Sequence, residues 1–359
     1  MTNPKAVASL LQISPFISLL LLAIFAYPIL STKSLQAFDF LQQLDGWHKG
    51  QKVESVHELK QYLRKFGYLD VCYNHTKHEH NNEFDDDLES GIKSYQLNYH
   101  LKATGKLDAQ TVKQMRMPRC GVPDIVNGKT SMRSGKKKHT NGGNSSSLHS
   151  VSLYSFFQGS PRWPDSKSYL TYQFSSTVPV TDLKTLKTVS KRAFARWAEV
   201  SHFKFSEATD EAADIVIGFY SGDHGDGSSF DGPGGTLAHS FSPTDGRLHF
   251  DAEENWSTNP KQDMMDIETV AVHEIGHLLG LEHSSEPKAI MYPIILFGSQ
   301  KRKLHGDDVQ AVIMLMDPAL MVPLGCLLIL FHQQMEGFIS MQKRIGVLIQ
   351  GRHDGPRNS

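Results

Sequence analysis

Apolar positions along the chain fall into successive patterns. Residues 16–30 are an almost unbroken apolar block, behind a start in which Lys5 is the one charged side chain. A block of that length falls short of the roughly twenty residues that span a membrane comfortably and has the build of a secretory signal peptide. That assigns residues 1–37 to a signal, with cleavage after Ser31 or after Ala37; a buried core helix is the alternative. Next, Val56, Leu59, Leu63 and Phe66 recur at helical spacing. So do Leu88, Ile92, Tyr95 and Tyr99, behind an acidic run at 85–87 that suits a helix N-terminus. Asp108 is a helix N-cap that sends Val112 and Met115 inward. Three short helices predict a small bundle within 38–126. It ends in the extended segment Met117-Pro-Arg-Cys-Gly-Val-Pro-Asp124, two prolines bracketing a cysteine.

Residues 127–153 are poor in apolar groups and contain Lys136-Lys-Lys138 and Asn141-Gly-Gly-Asn-Ser-Ser-Ser147. They read as an exposed, protease-accessible linker, in which the lysine run is either a processing site or simply solvated. Beyond it, Leu170, Tyr172 and Phe174 alternate as in a strand. Residues 182–200 then carry Leu183, Leu186, Val189, Phe194, Trp197 and Val200 on one helical face. Short strands are predicted at 203–205, 214–219, 237–241 and 248–250, and a second long helix at 267–281. Strands and long helices over 154–316 make an α+β domain. The tail, 317–359, opens on Asp317-Pro318, has an apolar stretch broken by Pro323, and ends polar. A membrane anchor and an unstructured tail both remain open for it.

Composition narrows this picture. The chain has 359 residues, 39% of them hydrophobic and 21% charged, enough for a folded core. With 37 Lys+Arg against 38 Asp+Glu, it carries no general electrostatic footprint for nucleic acid. Cys72, Cys120 and Cys326 cannot build a disulfide framework, and at least one stays unpaired within the chain. Three acceptor sequons, at Asn74, Asn144 and Asn255, suit a secreted glycoprotein. Eighteen histidines raise the question of a metal.

The stretch His273-Glu-Ile-Gly-His277-Leu-Leu-Gly-Leu-Glu-His283 answers it. His273 and His277 stand one helical turn apart, so both imidazoles leave the same face and can share one ion. Gly280 can end the helix with positive φ, turning the chain so that His283 becomes the third ligand. Three nitrogens leave a fourth position on tetrahedral zinc, the open geometry of a catalytic site. Glu274 lies beside the ligands, where a general base is needed.

This pattern is the metzincin motif, and Ala289-Ile-Met291-Tyr-Pro293 follows where that clan has its Met-turn, making Met291 an apolar floor under the ligands. The run from His224 through Asp226 and Asp231 to His239, then His249-Phe-Asp251-Ala-Glu-Glu254, resembles the matrix metalloproteinases, or matrixins. Pro118-Arg-Cys120-Gly-Val-Pro-Asp124 is similar to their cysteine switch. With no haemopexin-like repeats behind it, the chain is most similar to the short plant-type members. The resemblance implies a twisted, mostly parallel sheet with two long helices, preceded by a three-helix, peptidoglycan-binding-like prodomain. It implies a structural zinc on His224, Asp226, His239 and His249, three nitrogens and a carboxylate with no vacancy. It implies calcium on Asp231, Gly232, Gly234, Thr236, Asp251 and Glu254, all oxygen ligands. A second calcium would use Asp214, but the segment between His239 and His249 is shorter than in many members, which puts that site in doubt.

The function so implied is a secreted, monomeric, zinc-dependent endopeptidase of extracellular proteins, in the extracellular space or matrix, or attached to the outer face of the plasma membrane. Its substrate binds as an extended strand along 237–241, with 293–297 lining the pocket after the cut bond. Cys120 would hold the zinc in the latent form, Arg119 and Asp124 would pair to fix the switch, and an activating protease would cut within 127–153. A non-catalytic scaffold and a glycan-binding module are the competing classes; intact ligands with Glu274, and the position of the helical region between signal and switch, count against them.

Overall fold

The computed structural model describes residues 37–52, 54–69, 82–134, 154–175, 180–208 and 212–317. The signal region, Cys72, the sequons at Asn74 and Asn144, the lysine run and the tail beyond 317 lie outside the described residues. A 3-10 helix, Asp39–Leu44, precedes α1 (Val56–Lys65), α2 (Asp86–Asn98) and α3 (Ala109–Met115). Aspartates open the last two. Asp85 accepts from the Leu88 amide at 2.9 Å and Asp108 from the Thr111 amide at 3.0 Å, satisfying donors the helix itself cannot. The three stripes meet in one core: Leu59, Leu63, Phe66, Leu88, Ile92, Tyr95 and Met115 are buried together, as the spacing predicts.

Residues 127–134 are a difference from the expected exposed linker. Strands β1 (Ile125–Val126) and β2 (Lys129–Thr130) form a hairpin, with Ile125 opposite Thr130. Asn127 and Gly128 both take positive φ (49° and 72°), the two-residue Asn-Gly turn that twisted strands favour. Ser131 and Met132 are buried beyond it, Met132 against the helical core. The dipeptide was a hairpin signal that the polar composition around it obscured.

The second region is built on a five-stranded sheet in the order β4 (Lys204–Glu207), β3 (Tyr169–Ser175), β5 (Ile215–Tyr220), β7 (Arg247–Asp251), β6 (Ala238–Ser240). All neighbours are parallel except the edge strand β6, antiparallel to β7. A short parallel pair, β8 (Trp256–Ser257) and β9 (Met265–Asp266), leads into the site helix. Helices α4 (Leu183–Ala198) and α5 (Ile267–Leu279) pack against each other, the Trp197 indole donating to the Val272 carbonyl at 2.8 Å. Helix α6 (Gly306–Met316) closes the domain. The mostly parallel sheet and the α+β class agree with the expectation. Leu183 does not: it is 54% exposed, and burial on α4 begins at Leu186. Spacing identifies the apolar face of a helix but not how far the opposing element extends along it.

Candidate metal centre and active site

Helix α5 is buried along its whole length, and Asp266 caps its start by accepting from the Thr269 amide at 3.0 Å. At its end Gly280 adopts φ 112°, a left-handed exit that L-residues avoid. The chain thereby turns back and brings His283 to His273 and His277. Each of the three rings has a Nδ1 partner that can only accept: the Ile290 carbonyl for His273 (2.7 Å), the Leu281 carbonyl for His277 (2.7 Å) and an Asp124 carboxylate oxygen for His283 (2.9 Å). Nδ1 therefore carries the proton, and Nε2 presents a lone pair. Burial pushes the His273 and His277 pKa values well below the ordinary range and lowers that of His283, so the rings are neutral.

The His273 and His277 Nε2 atoms stand 3.1 Å apart, and Cys120 Sγ lies 3.5 Å from the latter. With His283 the four donor atoms lie within 4.8 Å of one another, and His283 Nε2, buried, has no hydrogen-bond partner among the described residues. Lone pairs converging in this way repel unless a cation stands among them. Three imidazole nitrogens and one sulfur suit tetrahedral zinc. Met291 is buried and lies against the α5 backbone between the two histidines, where a Cβ on Gly276 would come within 2.3 Å of its sulfur. Asp308 fixes this turn by accepting from the Ile290 amide (2.9 Å) and the Met291 amide (3.0 Å).

Glu274 is fully buried beside the group. Its Oε2 accepts from Ser240 Oγ at 2.8 Å, and its Oε1 is buried with no hydrogen-bond partner of its own among the described residues. Burial raises its pKa to about 7, against the opposing pull of hydrogen bonds from Ser240 and Cys120. Such a carboxyl can both accept and return a proton near neutrality.

The Cys120 segment enters the cleft as a strand held on both sides. On one side the Arg119 amide donates to Gly235 O (3.0 Å), the Leu237 amide to Arg119 O (2.9 Å) and the Gly121 amide to Ala238 O (2.8 Å). On the other, the Cys120 amide donates to Pro293 O (2.9 Å) and the Ile295 amide to Pro118 O (3.1 Å). Arg119 and Asp124, each fully buried, form a two-pronged pair at 2.8 and 3.0 Å, with the guanidinium 3.5 Å from the Phe66 ring centre. Tyr68 and Tyr99 hydroxyls donate to the same carboxylate at 2.8 and 3.0 Å. Burial alone would raise the Asp124 pKa. The Arg119 charge and the His283 and Arg119 hydrogen bonds outweigh it and hold the carboxyl well below the usual range. Burial, reinforced by the Glu274 charge, pushes the Cys120 thiol well up.

A second group gathers His224, Asp226, His239 and His249. One oxygen of Asp226 lies 2.8 Å from His224 Nε2, 2.7 Å from His239 Nε2 and 2.8 Å from His249 Nδ1. His224 Nδ1 donates to the Gly222 carbonyl at 3.0 Å, and its Nε2 faces both that carboxylate and His249 Nδ1, 3.1 Å away. Here too a cation reconciles the contacts. The oxygen-rich loop is also assembled. Thr236 donates to Asp231 from its amide (2.7 Å) and hydroxyl (2.9 Å), the Gly234 amide donates to Glu254 (2.6 Å), and the Gly232 amide approaches Asp251. Asp251 Oδ2 is buried without a partner. Burial with crowding by neighbouring carboxylates raises Asp251 to about 6 and Glu254 to about 8, the signature of a site short of positive charge. Asp214 stands apart from that loop: its carboxylate is engaged by Lys167 and by the Thr171 amide and hydroxyl.

A helix presenting two histidines, a glycine exit to the third and a buried carboxylate, all beside a mostly parallel sheet, define a metal-dependent endopeptidase. Residues 162–316 match the matrixin model, and residues 52–115 match a putative peptidoglycan binding domain. The chain is 42% identical over 294 residues to metalloendoproteinase 2-MMP of Arabidopsis thaliana, covering 79% of this chain and 76% of that one. It is 43% identical over 273 residues to metalloendoproteinase 1 of Glycine max (74% and 83%) and 35% over 224 to interstitial collagenase of Sus scrofa (62% and 41%). The chain belongs to the matrixin family, as a short plant-type metalloendopeptidase that uses zinc and calcium.

Several contacts escaped the sequence reading. Asp124 orients His283 as well as pairing with Arg119. Nothing in the spacing linked Ser240 to Glu274, or Asp308 to the Met291 turn, because each pair joins separate elements.

Proposed function

We propose that this endopeptidase is made as a secreted zymogen, with residues 1–37 as signal, 38–126 as inhibitory prodomain, 127–153 as activation region, 154–316 as catalytic domain and 317–359 as a tail, and that it acts on extracellular proteins. The position of Cys120 Sγ beside the three histidines, with all four donor atoms within 4.8 Å of one another, carries the reading. A thiolate there takes the place that water needs. His273, His277 and His283 would hold the catalytic zinc, and His224, Asp226, His239 and His249 a structural one. Asp231, Gly232, Gly234, Thr236, Asp251 and Glu254 would hold calcium. Asp214, already paired with Lys167, offers little to a second calcium.

Bound zinc supplies polarisation of the scissile carbonyl and acidification of the attacking water. Glu274 takes the proton of that water and returns it to the leaving amine. The backbone groups of 235–238 and of Pro293 and Ile295, now paired with the switch, bind an extended peptide once the switch leaves. Leu296, half exposed, and Phe297 favour an apolar residue after the cut bond. Because 127–134 is folded, the activating cut belongs further along, between 135 and 153. Tyr154 is already docked beyond it, its hydroxyl donating to Gln310 at 2.6 Å on the helix that carries Asp307 and Asp308. Among the described residues no helix is long and apolar enough to cross a membrane.

The test is cleavage of a quenched peptide by residues 38–316 before and after a thiol-blocking reagent, with Glu274→Ala alongside. Activity that appears on treatment, disappears with chelator and is missing in Glu274→Ala is expected. Full activity before treatment would remove the switch from the account.

A further inference from the structure

Residues of the edge strand β6 alternate between the two metal groups. His239 turns to one face, where its Nε2 lies 2.7 Å from Asp226, and it pairs across the sheet with His249, another member of that group. The next residue, Ser240, must turn to the opposite face. It is nearly buried there, and its hydroxyl donates to Glu274 Oε2 at 2.8 Å. The other oxygen, Oε1, is buried with no hydrogen-bond partner among the described residues.

We propose that Ser240 is a positioning residue for peptide-bond hydrolysis, holding Oε2 of Glu274 so that Oε1 is the oxygen left to exchange a proton with water and leaving group. The proposal rests on Glu274 being the general base. A glutamate's last torsion is broad and roughly two-fold, so packing alone does not settle which oxygen faces the reaction. A buried donor does settle it: once the Cys120 segment has left, Ser240 is the side chain among the described residues that still donates to Glu274, and β6 presents it rigidly because the preceding histidine is held in the second metal group. The groups that pair with residues 118–121, and that bind substrate in the proposed reading, are backbone atoms of 235–238 and 293–295 rather than the Ser240 side chain. Loss of the hydroxyl therefore lowers turnover without weakening binding, the mark of an interaction that matters in the transition state.

The experiment compares the activated full chain with its Ser240→Ala, Ser240→Thr, Ser240→Cys and Glu274→Gln forms and the Ser240→Ala/Glu274→Gln double variant. Each is assayed on one quenched peptide, with zinc per chain and melting temperature measured on the same samples. The expected result is a fall of about tenfold in kcat for Ser240→Ala at unchanged KM, as removal of one hydrogen bond to a charged group implies. Threonine restores kcat, cysteine, a weak donor of similar size, gives an intermediate value, and the double variant is no slower than Glu274→Gln alone. A normal kcat in Ser240→Ala beside an inactive Glu274→Gln overturns this proposal while leaving Glu274 as base. A fall in Ser240→Ala that threonine does not restore, or that comes with lost zinc or a lowered melting temperature while Ser240→Cys keeps full kcat, also overturns it. An active Glu274→Gln enzyme overturns the underlying assignment instead.

Discussion

Replacing Asp124 by alanine strikes the proposed prodomain latch at its most densely bonded point. In the structure this buried carboxylate accepts from both terminal nitrogens of Arg119, the Tyr68 and Tyr99 hydroxyls and His283 Nδ1. Without it the fully buried Arg119 guanidinium keeps its place over the Phe66 ring but loses its counter-charge. Removing one partner of a buried ion pair costs about 3–5 kcal/mol. That cost falls on the docked state, because an undocked switch lets Arg119 reach water. At about 1.4 kcal/mol per tenfold, the docked fraction relative to the open one falls by about 10² to 4 × 10³. The assay is the rate at which a thiol reagent labels Cys120, followed residue by residue by mass spectrometry, with peptide cleavage measured before any proteolysis. Faster labelling by a factor of that size, with activity in the uncut chain, is expected. Asp124→Asn should fall between the two, since an amide still accepts but carries no charge. A Cys120 as protected as in the unaltered chain, in a protein still silent, would refute the reasoning, leaving the backbone pairing of 119–121 as the whole latch.

Two further outcomes can be checked by melting. Gly276→Ala sets a Cβ 2.3 Å from the Met291 sulfur and 2.9 Å from the Trp197 ring, all buried, so it should cost about 1–3 kcal/mol and lower the melting temperature by several degrees; an unchanged midpoint would contradict the packing. Burial raises Asp251 to about 6 and Glu254 to about 8, above their unfolded values, so their contribution to stability is present at low pH and is lost as pH rises through those values. Calcium, binding the ionised form, should therefore raise the melting temperature of chelator-treated protein more at pH 8 than at pH 5.5; a larger gain at pH 5.5 would reverse the assignment.

Local chemistry made much of this protein legible from its sequence. Helical period alone sets His273 and His277 on one face, and a glycine four residues past Gly276 supplies the left-handed exit that returns His283. Aspartates ahead of α2, α3 and α4 mark the helix starts because a short acceptor side chain is what an open helix N-terminus lacks. The Asn-Gly turn of the 125–130 hairpin is equally local, though the polar residues around it make the same stretch read as linker. What the sequence could not decide is which distant side chains meet. Cys120 reaches His277 across 157 positions, Asp124 reaches His283 across 159, and Ser240 reaches Glu274 across 34. No periodicity encodes such pairs, since they depend on strand order, on the direction of β6 and on how α5 lies across the sheet. The same holds for protonation: a glutamate in a sequence is an ordinary acid, and only burial around Glu274, outweighing the hydrogen bonds from Ser240 and Cys120, moves it to about 7. The ligand types were written in the chain; the lone pairs, the buried charges and the donor that orients the base exist only once the tertiary structure has excluded water from around them.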